Sequence, residues 1–195
     1  GTVAAFDRFS GKQLWRQQFG EEERRSSGLN RFLDRSDGGF VSGGVGGGEG
    51  LVLLGTTRGN VIALALSDGS EKWRTYLGSE VGSTPVAAQG RVFAQTIDGE
   101  LVALDAETGE QLWSYSSQVP LLTLRGTSTP ATARDVVYAG FASGKVVALR
   151  ASNGEPIWEQ RIMLPEGRSE LERIVDVDAA PLLVGNAIYG QASQG

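Results

Sequence analysis

Gly99-Glu-Leu-Val-Ala-Leu-Asp-Ala-Glu-Thr-Gly109-Glu-Gln-Leu-Trp113 decides the fold of this 195-residue chain, because it occurs in four versions. Gly1 to Trp15, Gly59 to Trp73 and Gly144 to Trp158 align with it without a gap. In every copy the second glycine (Gly11, Gly69, Gly109, Gly154) comes ten residues after the first, and the tryptophan (Trp15, Trp73, Trp113, Trp158) four later. The third position is aliphatic (Val3, Val61, Leu101, Val146) and the fifth is alanine (Ala5, Ala63, Ala103, Ala148). Self-similarity at a spacing of tens of residues marks a repeat architecture.

Each copy reads as a β-hairpin. Leu101, Ala103 and Asp105 alternate with Val102 and Leu104, and both sets contain apolar residues, so the strand is covered on both sides. Phe9-Ser-Gly11, Ser67-Asp-Gly69, Glu107-Thr-Gly109 and Ser152-Asn-Gly154 supply the turn, with glycine providing positive φ. The second strand carries the tryptophan. Burying that ring removes roughly 150–250 Å² from water, an upper-bound stabilisation of about 4–6 kcal/mol. One hairpin cannot bury it alone, so each unit must stack on a neighbour.

Upstream of three of the repeat glycines lies a further strand pair. Gly50–Arg58, Gly90–Asp98 and Asp135–Ser143 read as strands leading into Gly59, Gly99 and Gly144. Ser83-Thr-Pro-Val86, Ser128-Thr-Pro-Ala131 and Ala179-Ala-Pro-Leu182 mark a strand before those, and Pro85, Pro130 and Pro181 each precede a repeat glycine by fourteen residues. One unit is therefore four short antiparallel strands, A to D, and such units of about 40–45 residues are propeller blades. The expected fold class is all-β, a β-propeller occupying residues 1–195 as a single partial domain. It comprises a half blade at 1–18, blades at about 41–77, 83–116 and 128–162, and a half blade at 179–195. An open arc of a larger ring is the favoured arrangement. Two copies completing one ring come next, and a ring closed by the chain's own ends ranks last.

Composition narrows the chemistry. The net charge of −5 disfavours nucleic acid, whose phosphates call for a basic patch. With no histidine and no cysteine, thiol chemistry, disulfides and histidine acid–base catalysis are excluded within these residues, as are zinc sites of the Cys/His type. No apolar run approaches the length of a membrane span. The first residue falls inside a repeat, so a leader peptide would lie upstream of it. Residues 20–40 interrupt the pattern and read as a charged, solvated loop with at most one helical turn. Val41-Ser-Gly-Gly-Val-Gly-Gly-Gly48 takes the place of strand A, and that much glycine implies close backbone packing or a distorted strand. No Lys-Ser/Thr follows it, so it is not a phosphate loop.

In four-stranded antiparallel blades the D-to-A links and B-to-C turns share one face of the disc. All the long insertions here are D-to-A links, so function is expected on that face. Two links stand out. One places Leu121, Leu122 and Leu124 beside Arg125, either tucked between blades or presented as an apolar anchor with a cationic neighbour. The other alternates Asp176 and Asp178 with Val175 and Val177. These carboxylates could cap backbone amides, pair with a cation of a partner, or ligate a metal.

The pattern Ala-x-Asp-x-x-Thr-Gly-x-x-x-Trp at 103–113 resembles the repeat of quinoprotein-type propellers. It differs from WD40 repeats, since the four tryptophans are followed by Arg, Arg, Ser and Glu. Within that superfamily the chain resembles the BamB family, lipoprotein subunits of the outer-membrane β-barrel assembly machinery. Leu122-Thr-Leu-Arg-Gly126 with Ser128 and Pro130 carries the resemblance, as do Ser169 to Asp178 with Pro181 and Ser42-Gly-Gly-Val45. It covers about the middle half of such a protein. The resemblance implies an eight-bladed, non-enzymatic propeller without cofactor or metal, in the periplasm at the inner face of the outer membrane. It implies binding to the POTRA domains of BamA through Leu122, Leu124, Arg125, Asp176 and Asp178, contact with nascent outer-membrane proteins, and a lipid anchor outside these residues. The competing expectations are a fragment of a quinoprotein dehydrogenase, with a quinone held on calcium, and an exported sensor or adhesion propeller.

Overall fold

The computed structural model describes residues 1–19, 41–117, 127–163, 175–177 and 179–194. Every regular element among them is a β-strand. The loop expected at 20–40 lies outside the described residues. β1 (Thr2–Phe6) and β2 (Gln13–Gln18) form a two-stranded sheet. The first four-stranded sheet holds β3 (Val41–Gly48), β4 (Leu51–Thr56), β5 (Asn60–Ala65) and β6 (Glu71–Tyr76) in sequence order. The second holds β7 (Val86–Ala88), β8 (Arg91–Gln95), β9 (Glu100–Asp105) and β10 (Gln111–Ser116). The third holds β11 (Ala131–Ala133), β12 (Val136–Phe141), β13 (Lys145–Arg150) and β14 (Pro156–Arg161). β15 (Val175–Asp176) pairs with β18 (Ser193–Gln194), and β16 (Leu182–Val184) with β17 (Ala187–Tyr189). All these pairings are antiparallel, and the three four-stranded sheets are meanders, the blade pattern of a β-propeller. β1 pairs only with β2 and β17 only with β16, so the two ends share no sheet among the described residues.

The hairpin register explains the constant alanine. Ala5, Ala63, Ala103 and Ala148 stand directly opposite Trp15, Trp73, Trp113 and Trp158. A register shift sits beside each of these pairs. The loop between the strands is wider than a two-residue turn. In the second four-stranded sheet Asp105 N–H donates to the Glu110 carbonyl at 2.8 Å, and Gly109 N–H to the Asp105 carbonyl at 2.9 Å.

Stacking follows the alternation along the strands. Leu51, Leu53, Val61, Ala63 and Trp73 of the first four-stranded sheet meet Val92, Ala94, Val102 and Leu104 of the second. The opposite face of that second sheet, with Phe93, Leu101 and Ala103, meets Val137, Ala139, Val147 and Leu149 of the third. β9 is thus covered on both sides, as its sequence indicated.

Three of the tryptophans also reach the following blade. Trp15, Trp73 and Trp113 donate their Nε1–H to the carbonyls of Leu66, Ala106 and Ala151 at 3.0, 2.9 and 3.0 Å. Their rings lie against Gly69, Gly109 and Gly154 of that blade. Trp15 and Trp73 are buried, and Trp113 and Trp158 are partly exposed. Trp158 belongs to the last four-stranded sheet and keeps a tilted contact with Tyr138, the ring centroids 6.0 Å apart.

The glycine-rich β3 is both closely packed and distorted. Its pairing with β4 is irregular between Val41 and Val45. A Cβ at Gly43, Gly46 or Gly48 would collide with the carbonyl oxygens of Ser83, Pro85 and Ala87, which belong to β7 of the next blade or its approach.

Candidate functional site

Backbone hydrogen bonds define two faces. On one, Leu77, Ser117 and Ile162, just past the fourth strand of each blade, donate to the carbonyls of Gly59, Gly99 and Gly144 in the turn between the second and third strands. On the other, Leu66, Ala106 and Ala151 donate to Gly50, Gly90 and Asp135 in the turns between the first and second strands. The links 77–85, 117–130 and 162–181 therefore leave from the first face. The last two are the long ones.

Both long links leave from strands tied to each other. Tyr115 of β10 donates its hydroxyl to Glu159 Oε1 of β14 at 2.5 Å, and Lys145 Nζ approaches Glu159 Oε2 at 3.3 Å. Burial, reinforced by the Glu159 carboxylate, holds the Tyr115 phenol well above its ordinary value. The Tyr115 hydrogen bond, followed by Lys145, holds Glu159 below its own.

The links re-enter the structure at a common point. Ser128, two residues after Gly126, is buried, and its Oγ accepts from Gly140 N–H at 2.8 Å. The same hydroxyl lies 3.3 Å from the Gly140 carbonyl oxygen, which also accepts from Gln95 Nε2 at 2.9 Å. Val177, fully buried, covers the other side of Gly140, where a Cβ would collide with Val177 Cγ1. Ser83 repeats the serine contact one blade earlier, accepting from Gln95 N–H at 2.9 Å. Val81 repeats the valine contact on Gly55, with 2.6 Å from its Cγ1 to the place of a Cβ.

Leu122, Leu124, Arg125 and Asp178 lie outside the described residues, as does Leu121. Asp176 lies in β15, where it pairs with Ser193 of β18. It is thus already within a strand ladder that extends the second strand of the last unit. Of the residues joining the two links, Ser128 and Val177 were noted from sequence only as a strand marker and as a neighbour of the aspartates, and Gly140 and Gln95 were not singled out. A signal for two of them exists: Gly55 and Gly140 stand four residues before a repeat glycine, and Val81 and Val177 four before a proline. Among the described residues no group of three or more His, Cys, Asp or Glu side chains could hold a metal ion. No helix among them is long and apolar enough to cross a membrane.

The family model described as outer membrane protein assembly factor BamB matches residues 1–195. The chain is 43% identical over 189 residues to the outer membrane protein assembly factor BamB of Xanthomonas campestris pv. campestris, covering 97% of this chain and 45% of that protein. It superposes on the crystal structure of BamB from Moraxella catarrhalis with a TM-score of 0.83 at 26% identity, covering 98% of this chain and 53% of that one. The quinohemoprotein alcohol dehydrogenase of Comamonas testosteroni shares the fold, with a TM-score of 0.65 at 19% identity over 99% of this chain and 36% of that one. The chain spans about half the length of the curated relatives it matches. Its repeat, its blades and these matches together place it in one family: the chain belongs to the outer membrane protein assembly factor BamB family.

Proposed function

We propose that this chain is part of a non-enzymatic scaffold subunit of the outer-membrane β-barrel assembly machinery, acting in the periplasm at the inner face of the outer membrane. In this reading it docks the POTRA domains of BamA through the two long links, and so assists the assembly and insertion of outer-membrane proteins, with nascent chains as further partners. Leu122 and Leu124 supply apolar anchors, Arg125 a cationic one, and Asp176 and Asp178 carboxylates for a basic residue of the partner. A lipid anchor outside these residues holds the subunit at the membrane. The whole is read as an eight-bladed ring, of which residues 1–195 form an arc.

The observation that carries this reading is the meeting of Ser128 and Val177 on Gly140. The described residues that follow Leu122 to Arg125 and that lie beside Asp176 and Asp178 thereby meet at one place. Apolar anchors beside charged groups are the composition of an interface hot spot. The quinoprotein dehydrogenase reading has the shared fold as its support, and fold does not carry function.

Calorimetric titration with BamA POTRA domains tests the proposal. The unaltered chain should bind, and Arg125→Glu should weaken binding at least tenfold (about 1.4 kcal/mol) with an unchanged melting temperature. Equal affinities would sink the site. Heat on titration with calcium and a quinone, and none with POTRA domains, would favour the enzyme.

A further inference from the structure

We infer that Gly140 and Val177 form a positioning pair, which fixes the two long links relative to each other and so sets the geometry of the docking face. This rests on the docking role proposed above. Neither residue touches the partner in this account; both act through the segments they hold.

The inference starts from what converges on one backbone unit. Gly140 N–H donates to Ser128 Oγ at 2.8 Å, and its carbonyl accepts from Gln95 Nε2 at 2.9 Å. Its Cα face is occupied by Val177, and a side chain there would also come within 3.0 Å of Ser128 Oγ. Ser128, Gln95 and Val177 are all essentially excluded from solvent. Three segments from different parts of the chain thus meet with no slack, and packed interiors yield little when one atom is added. Val177 lies between Asp176 and Asp178 in the sequence, so the backbone that Val177 anchors is the backbone that carries both aspartates. Ser128 lies just past the Leu122–Gly126 run, so a shift at Ser128 alters where that run is tied.

The repeat supplies an internal control. Gly55 and Val81 make the same contact, but Val81 belongs to the short link 77–85. In the blade between, Gln95 stands where the others have glycine, and Gly126 stands where they have valine. Bulk has moved from link to strand, and the longer side chain reaches across to Gly140. The glycine–valine contact is therefore a fastener between a link and its own blade, and only at Gly140 does it fasten a long link.

The test compares Gly140→Ala with Gly55→Ala in the full chain. Both add one methyl against a valine, and both should lower the melting temperature. Only Gly140→Ala should weaken POTRA binding, by about tenfold, and raise amide hydrogen exchange at 118–127 and 174–178. Val177→Ala, which removes bulk instead of adding it, should move affinity and exchange in the same direction and serves if Gly140→Ala does not fold. Equal affinities for Gly140→Ala and Gly55→Ala, or unchanged exchange at 118–127 in Val177→Ala, would overturn the inference. If the unaltered chain binds no POTRA domain, the docking role fails. The exchange measurement still decides whether the two links are coupled.

Discussion

Trp73 lies against Gly109 of the following blade, so closely that a Cβ on Gly109 would sit 2.6 Å from its Cδ2. Gly109 also has a φ of +75°, in the left-handed region. The same tryptophan donates to the Ala106 carbonyl at 2.9 Å. The glycine and the tryptophan of the repeat thus meet across the blade boundary, Trp15, Trp73 and Trp113 each with the glycine of the next copy. Gly109→Ala should cost about 2–4 kcal/mol, from the left-handed backbone and the lost space. Trp73→Ala should cost about 3–5 kcal/mol. Urea melts measure both, and a loss below about 1 kcal/mol for either would contradict this reading.

Ala63 faces Trp73 across β5 and β6 and is fully buried. Ala63→Leu should therefore destabilise the chain by about 1–3 kcal/mol through overpacking, although it adds apolar surface. A Leu substitution at the exposed Glu107, in the corresponding loop of the next blade, should leave the denaturation midpoint nearly unchanged.

The Asp105 carboxylate accepts backbone hydrogen bonds from Thr108 at 2.8 Å and Glu107 at 2.9 Å. The Thr108 bond, followed by that of Glu107, holds its pKa below the ordinary value. A carboxyl whose folded pKa is depressed stabilises the fold above its unfolded pKa, near 4, and loses that contribution as pH falls through the folded pKa. The stability advantage of the unaltered chain over Asp105→Asn should therefore shrink below about pH 4. Melts between pH 3 and pH 6 follow it, and an advantage that grows on acidification would contradict the sign.

Glu49, Gln89 and Arg134 occupy the same turn of successive blades with φ of +52°, +57° and +51°. Glu49 accepts from Gly90 N–H at 2.9 and 3.1 Å, and Gln89 Nε2 donates to the Arg134 carbonyl. These turns are stitched from blade to blade on the face opposite the long links. Glu49→Ala keeps the left-handed backbone and loses the bond, while Glu49→Gly loses the bond and relieves the backbone. Glu49→Gly should therefore melt higher than Glu49→Ala, and the reverse order would show that the left-handed backbone at position 49 is not a source of strain.

The blade was legible because its determinants are local. Alternation in Leu101–Leu104, glycine before the second strand and a proline before the first all lie within one repeat. The reason for Ala103 was not legible, because it depends on the register shift that sets it opposite Trp113. The pairing of Trp73 with Gly109 crosses 36 residues and shows only when two copies are superposed in space. The contact of Gly140 with Val177 was overlooked for a related reason: a glycine against a valine carries no chemical signature. Leu122, Leu124 and Arg125 were named through family resemblance rather than through physics, since three leucines in a link are equally consistent with burial between blades, and all three lie outside the described residues.

The central claim is that the face carrying the long links meets the BamA POTRA domains. The chain has no cysteine, so a single photo-crosslinker attached through an introduced cysteine reports one position at a time. Crosslinkers at Leu124 and at the exposed Glu107, which lies on the opposite face, give the most direct comparison. The account predicts a crosslink to a POTRA domain from position 124 and none from position 107. A crosslink from 107 alone, or equal yields from both, would contradict it.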